Sequence, residues 1–211
     1  MKDHPEAMPG SGGSRPLTHK LMDFLKLLLA FAPWILFLVV ARDSLFRLKL
    51  GLILGLGLGV IMGVARIHRG VILWATLLFF ACATVAVVAL GDMWAAQRMG
   101  MLANGTLALA AWVTIAIGKP FTLDYARAHT DRALWNDPRF VRLNMLITGV
   151  WASVFTLNTV LSWGKMVQFA LPGLAYDGVQ YSCLLAAAVF SIWYPDHVRA
   201  RHRRHQSVRM D

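Results

Sequence analysis

At 211 residues, 57% hydrophobic, only 15% charged and with a mean hydropathy of +0.55, the chain is too apolar for a soluble domain and has the length of one membrane bundle. Its net charge of +10 requires no nucleic acid, because Lys and Arg flanking membrane spans face anionic lipid headgroups. Two cysteines, Cys82 and Cys183, give neither a disulfide framework nor a zinc pattern; each falls inside an apolar stretch, where a thiol acts as a small apolar group.

Residues 1–22 are rich in Pro, Gly and Ser and lack an apolar run, which predicts a disordered cytoplasmic lead. The first apolar stretch starts too far in for a signal peptide, lacks a small-residue cleavage site and is followed by another span. It reads as an uncleaved anchor. Six apolar stretches follow one another: Leu25 to Ala41, Leu48 to Ala65, Val71 to Leu90, Met99 to Ile117, Leu143 to Trp163, and Gly178 to Tyr194. The expected fold class is therefore all-α, a polytopic six-helix transmembrane bundle over residues 23–195. A cytoplasmic loop occupies 118–142 and a basic tail, read as unstructured, occupies 196–211. A span needs about 20 residues, so the first two fit when Lys26 and Lys49 lift their amines to the interface.

Orientation follows from the basic residues. Arg42, Arg47, Lys49, Arg98 and Lys165 fall in one set of alternate gaps, and the remaining sixteen of the 21 Lys and Arg residues fall in the other. The positive-inside rule then puts both termini in the cytoplasm.

In the second stretch Gly51, Gly55, Gly59 and Gly63 recur every fourth residue, with Gly57 between them. That spacing keeps one helix face free of side chains, so a neighbouring backbone gains close dispersion contacts where lipid offers no hydrophobic drive. The expected partner is another span of the same chain, with a second protomer, and hence a homo-oligomer, as the alternative.

Polar residues within the spans are Thr76, Thr84, Asn104, Thr106, Thr114, Thr148, Ser153, Thr156, Asn158 and Thr159, and no ionisable side chain lies near the middle of any span. Asn104 and Asn158 are the costliest to face toward lipid and are expected to bond across helices. A common hydrated cavity between them favours transport, whereas dry contacts favour scaffolding. The remaining chemistry gives no enzyme. There is no intramembrane proton relay, no His within a span to ligate haem, and no nucleophile with a base at depth. Asp124, Asp131 and Asp137 are too scattered among arginines to form a metal site. No catalytic, metal or cofactor residue is assigned.

Gly118 and Lys119-Pro120 stop the fourth span, and Asp137-Pro138 reads as an N-cap with proline at the first helical position, so the fifth helix begins below the membrane. Between them Phe121, Leu123, Tyr125, Leu134, Trp135 and Phe140 interleave with Arg127, Arg132, Arg139 and Arg142, a pattern expected of an ordered segment in the headgroup layer. A protein-docking loop is the alternative. On the other side, Met166 to Leu174 contains Pro172-Gly173 and is expected to re-enter the lipid or cap the bundle.

Several features resemble the bacterial intracellular septation protein A family. They are Asp23-Phe24-Leu25 opening the first span, Pro33 and Phe37 within it, the Arg66 to Arg69 turn, Lys119-Pro120 ending the fourth span, and Leu143-Asn144 opening the fifth with Asn158 about four turns later. The resemblance covers Asp23 to Trp193; the aromatic-arginine segment after Pro120 and the longer basic tails depart from it. It implies a non-enzymatic inner-membrane protein supporting cell division and envelope maintenance through septum and cell-wall machinery, and it transfers no catalytic residue. The alternative function is a small neutral-solute transporter or channel using Asn104, Asn158 and nearby Thr hydroxyls. A lipid-modifying enzyme at the cytoplasmic face, using Asp124 or Asp137, is a third.

Overall fold

The computed structural model describes Leu29 and residues 31–41, 44–65, 70–127, 132–169 and 172–207. The N-terminal lead, the opening of the first span, the Arg66 to Arg69 turn and Asp131 lie outside the described residues, as do the side chains beyond Val198. Among the described residues every element is helical. Helix α1 (Ala32–Val40) is followed by α2 (Leu45–Val64), α3 (Val71–Thr84) with a π turn (Val85–Ala89), and α4 (Met93–Gln97). Then come α5 (Met99–Ala116), α6 (Thr122–Arg127), a short 3-10 turn (Arg132–Leu134), α7 (Pro138–Met166) and α8 (Gly173–Ser207).

Four segments, Leu45–Val64, Val71–Ala89, Met99–Ala116 and Pro138–Met166, are long and apolar enough to cross a membrane. The outer surface agrees with lipid as the solvent. Phe46, Ile61, Trp74, Leu78, Leu109, Val160 and Leu185 are each more than half exposed, while Thr76, Thr114, Thr148, Asn144 and Asn158 are buried.

Local signals set the helix ends. Gly118, at φ +71, closes α5 with Gly118 N–H on the Ile115 carbonyl and Lys119 N–H on the Thr114 carbonyl, the paired bonds of a Schellman cap. The Asp137 carboxylate accepts from Arg139 N–H at 2.8 Å and Pro138 opens α7, as the sequence predicts. With 29 residues, α7 is about 44 Å long and overshoots a hydrocarbon core of about 30 Å. Two expectations are corrected. Helix α8 starts at Gly173, five residues before Gly178, and continues through Pro195 to Ser207. The segment read as an unstructured tail is thus helical to Ser207, since its Ala, Arg and Gln favour helix and no glycine interrupts them.

The glycine face of α2 packs within the chain. A Cβ at Gly51 would meet Ala41 and Phe37, one at Gly55 would lie 2.5 Å from the Phe80 ring, and Gly59 and Gly63 face Thr76, Leu77 and Leu73. Gly57 meets nothing within 4 Å. A second seam joins α5 to α7, where Gly100 faces Ser162 and Gly105 faces Thr159.

Three tryptophans fasten helix to helix by one recurring device. Trp34 Nε1 donates to Thr76 at 2.8 Å, Trp112 to Thr156 at 3.1 Å and Trp151 to Ser191 at 3.0 Å. In each case the accepting hydroxyl passes its own proton to the carbonyl four residues back: Ile72, Ala152 and Ala187. Every polar atom in these clasps is satisfied, which hydrocarbon surroundings require. The core between them is aromatic: Trp34 stacks on Phe79 at 4.8 Å, and Phe31 stacks on Trp151 at 5.7 Å and meets Phe121 edge-on at 6.0 Å.

Candidate functional site

Polar side chains gather at both ends of the bundle. At the end where α5 passes to α7, the start of the loop turns inward to the helices, while Arg132, Arg139 and Arg142 further along are exposed. Pro120, Phe121, Thr122 and Leu123 plug into the bundle and are buried. Phe121 N–H donates to the Thr114 hydroxyl at 3.3 Å, and Thr122 Oγ1 bonds to the Asn144 carbonyl at 3.1 Å and to Thr148 Oγ1 at 2.9 Å. Asn144 is itself buried and donates to the Phe140 carbonyl at 2.9 Å. The plug is held because a buried backbone without these partners would cost more than the ordering of the loop.

This clasp positions the rest of the loop. The Asp124 carboxylate packs against Gly70, which at φ +94 leads into α3. Partial burial raises its pKa, against the pull of Arg127. Burial, and then the charge of Asp124, push the Tyr125 phenol up as well. The guanidinium of Arg127 lies 5.7 Å from the Trp135 ring centre, and that of Arg132 5.8 Å from the same ring. Arg127 Nε is buried and has no hydrogen-bond partner among the described residues. Lys119 and Arg139 are exposed. Of the loop residues singled out in the sequence, Arg127 and Trp135 are thus brought together, while Lys119 and Arg139 stand apart in solvent.

The two asparagines part company. Asn158 is buried and donates to the Gln180 carbonyl of α8 at 3.4 Å, its own oxygen lacking a partner among the described residues. Asn104 makes no bond across helices among the described residues: its amide donates to the Gly100 carbonyl of its own helix at 2.9 Å. It faces instead a cavity of about 890 Å³ at the opposite end of the bundle from the loop. Ser162 and Gln180, joined at 3.1 Å, form part of that wall, and the Lys165–Asp177 ion pair at 2.6 Å stands at the turn between α7 and α8.

No protein-family model, curated protein or solved structure matches this chain. Between Met166 and Leu174 the described residues make a tight turn at Gln168 (φ +53), closed by the buried Tyr176 hydroxyl donating to the Phe169 carbonyl. Tyr176, the Trp–hydroxyl clasps and the Thr122–Thr148 pair carry no mark in the sequence, because a hydroxyl beside apolar residues looks the same whether it faces lipid or a neighbouring helix.

Proposed function

We propose that this chain is a non-enzymatic inner-membrane protein that crosses the bilayer six times with both termini in the cytoplasm, and that it supports cell division and envelope maintenance through its cytoplasmic loop. Helix α1 with the apolar residues before it, and the apolar start of α8, supply the two crossings beyond the four long apolar helices. The observation that carries the reading is the buried Thr122–Thr148–Asn144 clasp, which holds an arginine-rich, Trp-bearing segment in a fixed position at one end of the bundle. A loop that served only as a tether has no need of such an anchor.

The exposed Arg132, Arg139 and Arg142 are placed to meet anionic headgroups, and the adjoining Trp135 surface to meet septum or cell-wall proteins. The test is complementation. In cells whose division depends on this protein, a variant lacking residues 119–142, shown by reporter fusions to remain inserted with both ends inside, is expected to leave the division defect in place. Full rescue by that variant overturns the reading, as does a reporter placing the two ends in different compartments.

A second reading, passage of a small neutral solute, is supported by Asn104 on the cavity wall. It predicts solute flux in liposomes that is lost in Asn104→Leu.

A further inference from the structure

The cavity facing Asn104 is lined by residues of two chemical kinds. Arg98 is among the charged ones, in the break between α4 and α5, its guanidinium 4.6 Å from the Trp94 ring centre and one nitrogen donating to the Trp94 carbonyl at 3.3 Å. Those contacts fix the direction of a planar fork of donors and leave most of its N–H groups unused. Among the described residues no carboxylate pairs with Arg98, because Asp177, which shares the cavity, is held by both its oxygens on Lys165 at 2.6 and 2.8 Å. The cavity therefore carries one surplus positive charge. The same lining holds the neutral hydrogen-bonding side chains of Gln97, Asn104 and Gln180.

Much of the remaining lining is apolar: Phe37, Leu45 and Leu48 of the α1–α2 hairpin, Met93 of α4, and Leu174 with the ring of Tyr181 from α8. A water-soluble anion leaves these apolar residues without a partner, and a hydrocarbon leaves Arg98 and the amides unpaired. A molecule with an anionic head and an acyl chain satisfies both, and 890 Å³ is ample for a headgroup and the upper part of a chain.

We propose that this cavity is a binding site for a single anionic phospholipid, its phosphate on Arg98 and its chains against Phe37, Leu45 and Leu48. The site lies at the opposite end from the Thr122 clasp and stands whether or not the cytoplasmic loop acts in division.

Native mass spectrometry of the full-length protein in detergent, titrated with phosphatidylglycerol, tests it. One bound lipid is expected. Arg98→Gln should weaken binding about tenfold, the loss of a charge-assisted contact, with Arg98→Lys falling between. Leu45→Trp, which fills space against the apolar lining and leaves the charge in place, should weaken it as much. Thermal melting shows which variants are folded, and Arg98→Lys, the mildest change, carries the comparison when another variant fails to fold. Wild-type affinity in Arg98→Gln or in Leu45→Trp overturns the proposal. Equal binding of phosphatidylcholine overturns it too, since the site would then not read headgroup charge. Displacement of the lipid by inorganic phosphate alone would assign the site to a free anion and likewise sink the lipid reading.

Discussion

The hydroxyls of Thr122 and Thr148, far apart in sequence, meet at 2.9 Å inside the bundle, and this pair ties the loop after α5 to the shaft of α7. Both hydroxyls are buried, but Thr122 also donates to the Asn144 carbonyl, so it is loss of Thr122 that strands its partner, Thr148. Thr122→Val is expected to cost about 1–3 kcal/mol of thermal stability, the penalty of an unsatisfied buried polar group, and Thr148→Val less, because Thr122 keeps its bond to Asn144. Thr122→Val with Thr148→Val should cost less than the two single changes added together, since the pair is then removed as a unit. Detergent melts measure both. Faster tryptic cleavage after Arg127 or Arg132 in the single variants would show that the clasp holds the loop, and additive costs would show that the hydroxyls act separately.

Glycines of one helix should respond in opposite ways according to face. At Gly55 a methyl group collides with the Phe80 ring, which is itself fully buried and cannot retreat, whereas at Gly57 the space is open. Gly55→Ala is expected to lower stability by about 1–3 kcal/mol through overpacking, and Gly57→Ala to leave it unchanged or slightly raised. Equal effects of the two substitutions in a melt would mean that the close approach of α2 and α3 does not depend on the stripe. The same logic makes Gly59→Leu destabilising through Thr76 and Leu77.

What the sequence made legible was local. Gly118 ended α5 and Asp137-Pro138 opened α7 because caps are written within a few residues of the helix end they serve. The glycine period marked the α2 face for the same reason. Asn104 and Asn158 were not separable, because which way a polar residue points depends on the rotation of its helix against neighbours contributed from far along the chain. Asn158 finds Gln180 on α8, while Asn104 faces a cavity bounded by α1, α4 and α8. The burial of Phe121 and Leu123 was likewise hidden, since aromatic and aliphatic residues among arginines fit a membrane interface as well as a plug. The helical course beyond Pro195 is hidden in the sequence because a basic segment with few apolar residues has the composition of a solvated tail, although Arg and Ala are good helix formers.

Acidity should reveal the setting of Asp124. Burial raises its folded-state pKa above that of an unfolded chain, so the fold prefers the protonated form. The stabilisation from that preference is complete below the unfolded value and is lost as pH rises through the folded one. Asp124→Asn stays neutral and escapes the loss. The variant is expected to be at least as stable as the parent at pH 7, with its advantage shrinking toward pH 4. Solvent reaching the carboxyl keeps the difference small. If Asp124→Asn is instead the less stable at pH 7 and recovers at pH 4, attraction to Arg127 outweighs desolvation and the order of the two causes is reversed.

Gln168 occupies the left-handed region at φ +53 where α7 ends, a position at which glycine is the usual residue. Its N–H donates to the Lys165 carbonyl and Phe169 N–H to the Gly164 carbonyl, so the turn is a full cap built on a residue with a Cβ. A side chain there is strained by about 1–2 kcal/mol, and glycine gives back part of that gain through the greater freedom of the unfolded chain. Gln168→Gly should therefore raise stability by about 0.5–1 kcal/mol, because the exposed Gln168 side chain buries little surface that could be lost. Gln168→Ala keeps the Cβ and is the control, expected to show no gain. A loss of stability in Gln168→Gly, with Gln168→Ala unchanged, would mean that the turn is held by the Tyr176 hydroxyl and the Lys165–Asp177 pair without strain at its centre.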